Sequence, residues 1–138
     1  MIIEKIVEHA RSDPDKTAIY YGEHRIPYGQ FARWIFHARD FLLQKNLPGG
    51  GYAVLNIDSL LDSWIFGLAL RSLGFTTVAV PSLERLSDLD MRNVGCVVAT
   101  EREPAGIIPP SAATARQIRI PHHLYLGKII HEIGRAHV

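Results

Sequence analysis

A single cysteine, Cys96, stands among 138 residues, so no intrachain disulfide framework can hold the chain together. A basic excess is missing too: Lys plus Arg number 15 against 14 for Asp plus Glu, a formal net charge of +1. Binders of nucleic acid or other polyanions normally carry a surplus of positive charge, and this balance argues against that class. No apolar run approaches the roughly 20 residues a membrane-spanning helix needs. The start, Met1-Ile2-Ile3-Glu4-Lys5, lacks the basic head and apolar stretch of a secretory leader. There is no internal repeat. What is there is a chain 47% hydrophobic, 21% charged and 9% aromatic, which can build a core and is no disordered tail. The expectation is a soluble, cytoplasmic α/β protein.

Ile2, Ile3, Ile6, Val7 and Ala10 recur at helical spacing between polar neighbours, predicting a short amphipathic helix. Ser12-Asp13-Pro14-Asp15 ends it, because proline disfavours helix at the residue before it. Thr17-Ala18-Ile19-Tyr20-Tyr21 reads as a strand, Gly22-Glu23 as a tight turn and His24-Arg25-Ile26 as a return strand. Tyr28, Phe31, Ile35, Ala38 and Leu42 mark the clearest helix, stopped by Asn46-Leu47-Pro48 and three glycines. Tyr52-Ala53-Val54-Leu55-Asn56-Ile57 is apolar enough for a strand covered on both faces. Asp58 or Ser59 can cap the next helix, 60–73, which is apolar nearly all round and therefore needs neighbours on most sides. Gly74 ends it, Thr76-Thr77-Val78-Ala79-Val80 is a strand, and Pro81 stops that strand. A short helix over 83–91 and a buried strand at Gly95-Cys96-Val97-Val98-Ala99 follow. Beyond Thr100 the prolines at 104, 109 and 110 break regular structure, leaving a strand at 118–120 and a short helix at 124–130. Strand, helix, strand, helix, strand implies a parallel sheet with helices on both faces.

The chemistry is sparse. Gly49-Gly50-Gly51 precedes a strand, whereas a phosphate-cradling loop follows a strand and opens a helix, so it reads as a helix-to-strand connection. Asp58 and Asp62 can lie one helical turn apart at the C-terminal end of a strand, the edge where doubly wound sheets bind ligands. Such carboxylates can hold Mg²⁺ or act as acid and base. The plainer reading makes Asp58 the helix cap and Asp62 an exposed first-turn acid favoured by the helix dipole. The seven histidines have no metal-binding spacing: His122 and His123 are adjacent, and His131-Glu132 with His137 lacks H-E-x-x-H. Cys96 sits in an apolar strand, where a thiol behaves as a small hydrophobe. Trp34 and Trp64 read as core. The charges over 84–92 read as a solvated helix face. No residue qualifies as catalytic, cofactor-binding or metal-binding.

Four stretches carry a resemblance. They are Pro14-Asp15-Lys16-Thr17-Ala18-Ile19, Ile26-Pro27-Tyr28-Gly29-Gln30-Phe31, Leu47-Pro48-Gly49-Gly50-Gly51-Tyr52-Ala53-Val54, and Leu68-Ala69-Leu70-Arg71-Ser72-Leu73-Gly74 through Val80-Pro81. In order and spacing they resemble the N-terminal part of the adenylate-forming (AMP-binding) enzymes: acyl-CoA synthetases, peptide-synthetase adenylation domains and luciferases. The family's second stretch is a capping box. Here Pro27 stands in place of its threonine and Gln30 in place of its glutamate, and Gln30 is expected to reach back. Gly51 stands where an acidic residue is usual. The resemblance implies the N-terminal portion of the large domain of a ligase. The intact enzyme would use ATP and Mg²⁺ to adenylate a carboxylate, then pass the acyl group to CoA or a carrier's phosphopantetheine thiol. The family's Ser/Thr/Gly-rich phosphate loop ending in lysine has no counterpart here. Neither do its later ribose-binding aspartate and C-terminal lysine, so no catalytic residue carries over.

The last residues, Glu132-Ile133-Gly134-Arg135-Ala136-His137-Val138, are similar to the in-frame translation of a common sequencing adapter. On this reading 1–131 is an incomplete N-terminal part of an AMP-binding domain, and 132–138 is an adapter artefact. The fragment itself then lacks the active site, binds no cofactor, and has the remainder of its parent chain as partner. The competing expectations are a free-standing α/β ligand-binding module with Asp58 and Asp62 near a switch-point pocket, and an interaction domain that presents helix 60–73 to a partner.

Overall fold

The structure, a computed structural model, describes residues 2–83, 93–100, 115–121 and 124. The expected helices at 83–91 and 124–130, the histidines from 122 onward and the segment 132–138 fall outside the described residues, apart from Leu83 and Leu124. Helix α1 (Ile2–Ser12) leads into a hairpin of β1 (Thr17–Tyr21) and β2 (His24–Pro27), followed by α2 (Tyr28–Leu43). Then come β3 (Tyr52–Asn56), α3 (Leu60–Ser72), β4 (Thr76–Ala79), β5 (Val94–Thr100) and β6 (Arg116–Ile120). Within the described residues, the elements read from periodicity are these, with ends shifted by a residue or two.

Strands β1 and β2 pair antiparallel around Gly22, whose φ of 61° suits a residue without Cβ. The other strands form one parallel sheet in the order β4-β3-β5-β6. The α/β class with a parallel sheet is therefore present. Ala53 and Leu55 of β3, Cys96 and Val98 of β5, and Ile118 and Ile120 of β6 face a core shared with all three helices. On the opposite face Val54 and Val97 pack with Val80, Leu83 and Ala115. Each face is thus apolar, as parallel strands require. Helix α3 lies against β3 and β4, α2 packs along α3, and α1 packs along α2. The rings of Phe41 and Phe66 meet edge to face at 6.2 Å across the α2–α3 contact.

The start of α2 corrects one expectation. Its N-cap is Pro27, with no side-chain cap bond. A capping-box glutamine bonds the N-cap N–H, and proline has none, so Gln30 has no backbone donor to reach back to. Its Oε1 instead meets Arg33 Nη2 at 3.4 Å. The turn before β1 supplies the cap: Tyr28 N–H donates to the Lys16 carbonyl at 2.9 Å and Gly29 N–H to the Pro14 carbonyl at 3.0 Å. Gly29 permits this approach, since a Cβ there would lie 3.1 Å from Pro14 Cβ.

Helix α3 ends in a complete Schellman motif. Gly74, at φ 95°, donates to the Arg71 carbonyl, and Phe75 donates to the Leu70 carbonyl, both at 3.1 Å. Leu70 and Phe75 are both buried, the apolar pair that accompanies this cap.

Candidate functional site

In the order β4-β3-β5-β6 the chain moves to one side of β3 and then returns to the other, so β3 and β5 flank the topological switch point. Ligands of open α/β sheets bind beyond the C-terminal ends of such strands. Asn56 ends β3 and Thr100 ends β5. Just past β3, Asp58 is exposed, and buried Thr100 donates from Oγ1 to its Oδ2 at 3.5 Å. Ser59, not Asp58, is the N-cap of α3: its Oγ accepts from the Asp62 N–H at 3.3 Å. The same Oγ lies 3.3 Å from the Tyr21 hydroxyl, which ties the hairpin to the sheet edge.

Asp62 departs from the sequence reading. It is 1% exposed, whereas an exposed first-turn acid was expected. The first turn of α3 points its Leu60 side outward and turns Leu61 and Asp62 inward, since α2 and the sheet cover that side of the helix. The helix N-terminus favours a carboxylate there. The two acids are therefore divided by burial: Asp62 is enclosed, and Asp58 presents its carboxylate at the switch point. Among the described residues no three His, Cys, Asp or Glu side chains gather into a metal site. Tyr21 and Thr100 were not singled out from the sequence, and the only signal for Thr100 was its place at the end of a buried strand.

The three glycines lie at the opposite edge, where β3 begins. Gly50 and Gly51 take φ of 77° and 88°, and a Cβ on Gly51 would stand 2.7 Å from the Asn93 carbonyl oxygen. The Gly51 carbonyl accepts from Thr76 N–H at 3.0 Å, and Asn93 accepts from Tyr52 N–H at 2.9 Å. This loop closes the N-terminal edge of the sheet. It points no row of amides at a helix start, so it does not fit a triphosphate.

Cys96 is fully buried in β5, and desolvation pushes its thiol up to about 11. That suits a small hydrophobe and not a nucleophile. His9 stacks on Tyr28 with centroids 4.7 Å apart, which fastens α1 to the start of α2. Trp64 overturns its assignment to the core. It is 43% exposed, with Leu60 at 56%, along a cleft of about 640 Å³ between α1 and α3. Leu60, Ser63, Trp64, Leu68 and Arg71 line it from one side of α3, with Tyr28 and Phe31 of α2 and Leu55, Thr77 and Ala79 of the sheet among its other walls.

With this geometry in view the class of fold is defined: it is that of the N-terminal subdomain of adenylation domains. One such subdomain, Klebsiella oxytoca NpsA in complex with 3-hydroxybenzoyl-AMSN, superposes with a TM-score of 0.63 at 22% identity, over 86% of this chain and 29% of that one. The nonribosomal peptide synthetase FmoA3 in its AMPPNP-bound form gives 0.67 at 15% identity, over 92% and 14%. An artificially fused adenylation–PCP di-domain, NpsA-ThdA, gives 0.64 at 21%, over 86% and 22%. The chain spans less than a third of each of these solved chains. At such identities the likeness establishes the fold. No family model matches the sequence, and no curated protein matches it. No helix among the described residues is long and apolar enough to cross a membrane.

Proposed function

We propose that this chain is the opening part of the large domain of an AMP-forming acid–thiol ligase, and that it serves there as scaffold. The observation that carries the reading is the match of fold over 86–92% of the chain to adenylation domains of which it spans only 14–29%. In the intact enzyme a carboxylate oxygen attacks the α-phosphorus of ATP and pyrophosphate leaves. The acyl-adenylate then passes its acyl group to the sulfur of CoA or of a carrier's phosphopantetheine, and AMP leaves. Mg²⁺ would offset the phosphate charge. The residues described here hold the sheet edge and the helix layer. The triphosphate site belongs to sequence after them, and the chain is assigned to the cytoplasm because its start lacks the basic head and apolar stretch of a secretory leader.

The test is to read the source DNA past the codon for His131 by a method that adds no adapter. The expected result is an open frame that runs into a Ser/Thr/Gly-rich loop ending in lysine. The polypeptide it encodes should catalyse carboxylate-dependent ATP–pyrophosphate exchange, and the 138-residue chain should not. A genomically encoded 132–138 segment followed at once by a stop codon would overturn the reading in favour of a small free-standing module.

A further inference from the structure

We propose that the groove between α1 and α2 docks a second copy of this chain, with the two first helices antiparallel about a two-fold axis. This surface is independent of the ligase reading. Ile2, Lys5 and His9 line the cleft toward α3, and the other flank of α1 borders a separate groove of about 680 Å³. Ile3 and Val7 line that groove from α1, and Phe36 and Arg39 from α2. Phe36 is 39% exposed, and Leu43, two turns further on the same face of α2, is 56% exposed. Arg39 stands between them, half-buried, and its Nε–H is shut off from solvent without a hydrogen-bond partner. A buried donor left unmet is costly, and an acceptor brought by a second chain removes that cost.

Charge selects the occupant. Two acids, Glu4 and Glu8, and two arginines, Arg11 and Arg39, line the groove. A partner of one sign would meet like charge at half of these positions, whereas the surface complements itself. An antiparallel copy of α1, with the axis between Val7 and Glu8, sets Glu4 of each chain opposite Arg11 of the other. An isologous contact repeats every pair, so this one match supplies two ion pairs. Glu4 and Arg11 are both exposed, and a carboxylate accepts more than one donor. Glu8, beside the axis, supplies the acceptor for the unmet Arg39 of the other chain. Ile3, Val7, Phe36 and Leu43 form the apolar centre inside this charged rim. Helices this short bury little area, so the dimer is a weak one that dilution separates.

The test is sedimentation equilibrium of the 138-residue chain over a rising series of concentrations. The mass should climb from that of one chain, 15.5 kDa, toward that of two. Sodium chloride at about 1 M, where charges are screened beyond about 3 Å, should weaken the association. Glu4→Arg and Arg11→Glu each set like charges across the axis, and each alone should weaken it at least about tenfold. Mixed together, the two variants restore both ion pairs, one chain carrying only arginine and the other only glutamate at positions 4 and 11. The mixture should therefore associate as the unaltered chain does. Both changes fall on exposed side chains, and matching far-UV spectra check that α1 persists. The mass of one chain at every concentration overturns the proposal. So does association that salt and both reversals leave unchanged, as contact through the open side of α3 would be, or a mixture no more associated than its parts.

Discussion

Single residues decide where the backbone of this protein can tolerate change. Gly51 combines φ 88° with the Asn93 carbonyl 2.7 Å from the site of a Cβ. Gly51→Ala should therefore cost about 1–3 kcal/mol, through strain and a forced shift of the loop. Lower soluble yield and a lower urea midpoint by far-UV circular dichroism would report it. Gly74, at φ 95° with nothing near its missing Cβ, carries only the conformational cost, so Gly74→Ala should be the milder change. Cys96 gives a pH prediction. Its folded value of about 11 lies above the ordinary 9.0. Below pH 9 both states hold the proton and Cys96 adds no pH dependence; between 9 and 11 the unfolded chain ionises first, so stability falls as pH rises. A thiol-reactive disulfide reagent at pH 8 should label the denatured chain fast and the native chain slowly. The glycine run was visible in the sequence as a connection, but which glycine meets Asn93 was not, because that contact joins residues 42 positions apart.

At the scale of elements, helix α3 shows how capping and burial divide the work. Ser59 caps it and also meets Tyr21. Ser59→Ala should cost about 1 kcal/mol and free the first turn. Hydrogen exchange at the Asp62 amide should then quicken roughly fivefold, while the middle of the helix keeps its protection. Uniform acceleration along α3 would mean that the cap matters less than the packing. The position of this helix was legible from its composition, and so was its need for neighbours. Which side lacked one was not. An apolar-all-round pattern has no direction, and only the placement of α2 and β4 left Leu60 and Trp64 outside and brought Asp62 in. The opposite failure occurred at α2, where the sequence suggested that Gln30 reaches back, and tertiary structure instead brought the Pro14 and Lys16 carbonyls to the first amides of the helix.

For the molecule as a whole, one apolar wall of α3 stands open in the described structure. The isolated chain should accordingly bind a hydrophobic dye and unfold over a broad temperature range. A sharp two-state transition with calorimetric and van't Hoff enthalpies in agreement, and no dye binding, would contradict the scaffold reading. The adenylation-domain fold was legible in the sequence because it is written in punctuation: proline, glycine and apolar runs in a fixed order. The candidate site was legible only as a place, the C-terminal edge of β3. Its polar contacts, Thr100 with Asp58 and Tyr21 with Ser59, join residues 42 and 38 positions apart.

Local physics thus sufficed for the elements. Helical spacing, β-branched runs and the stop residues act over a few positions, and the sequence by itself determined the three helices, the strands of the sheet and the buried, unreactive Cys96. Tertiary structure alone decided the strand order that creates the switch point, the burial of Asp62 and the cleft beside Trp64. Each of these depends on which faces meet, and faces are chosen by packing among segments far apart in the chain.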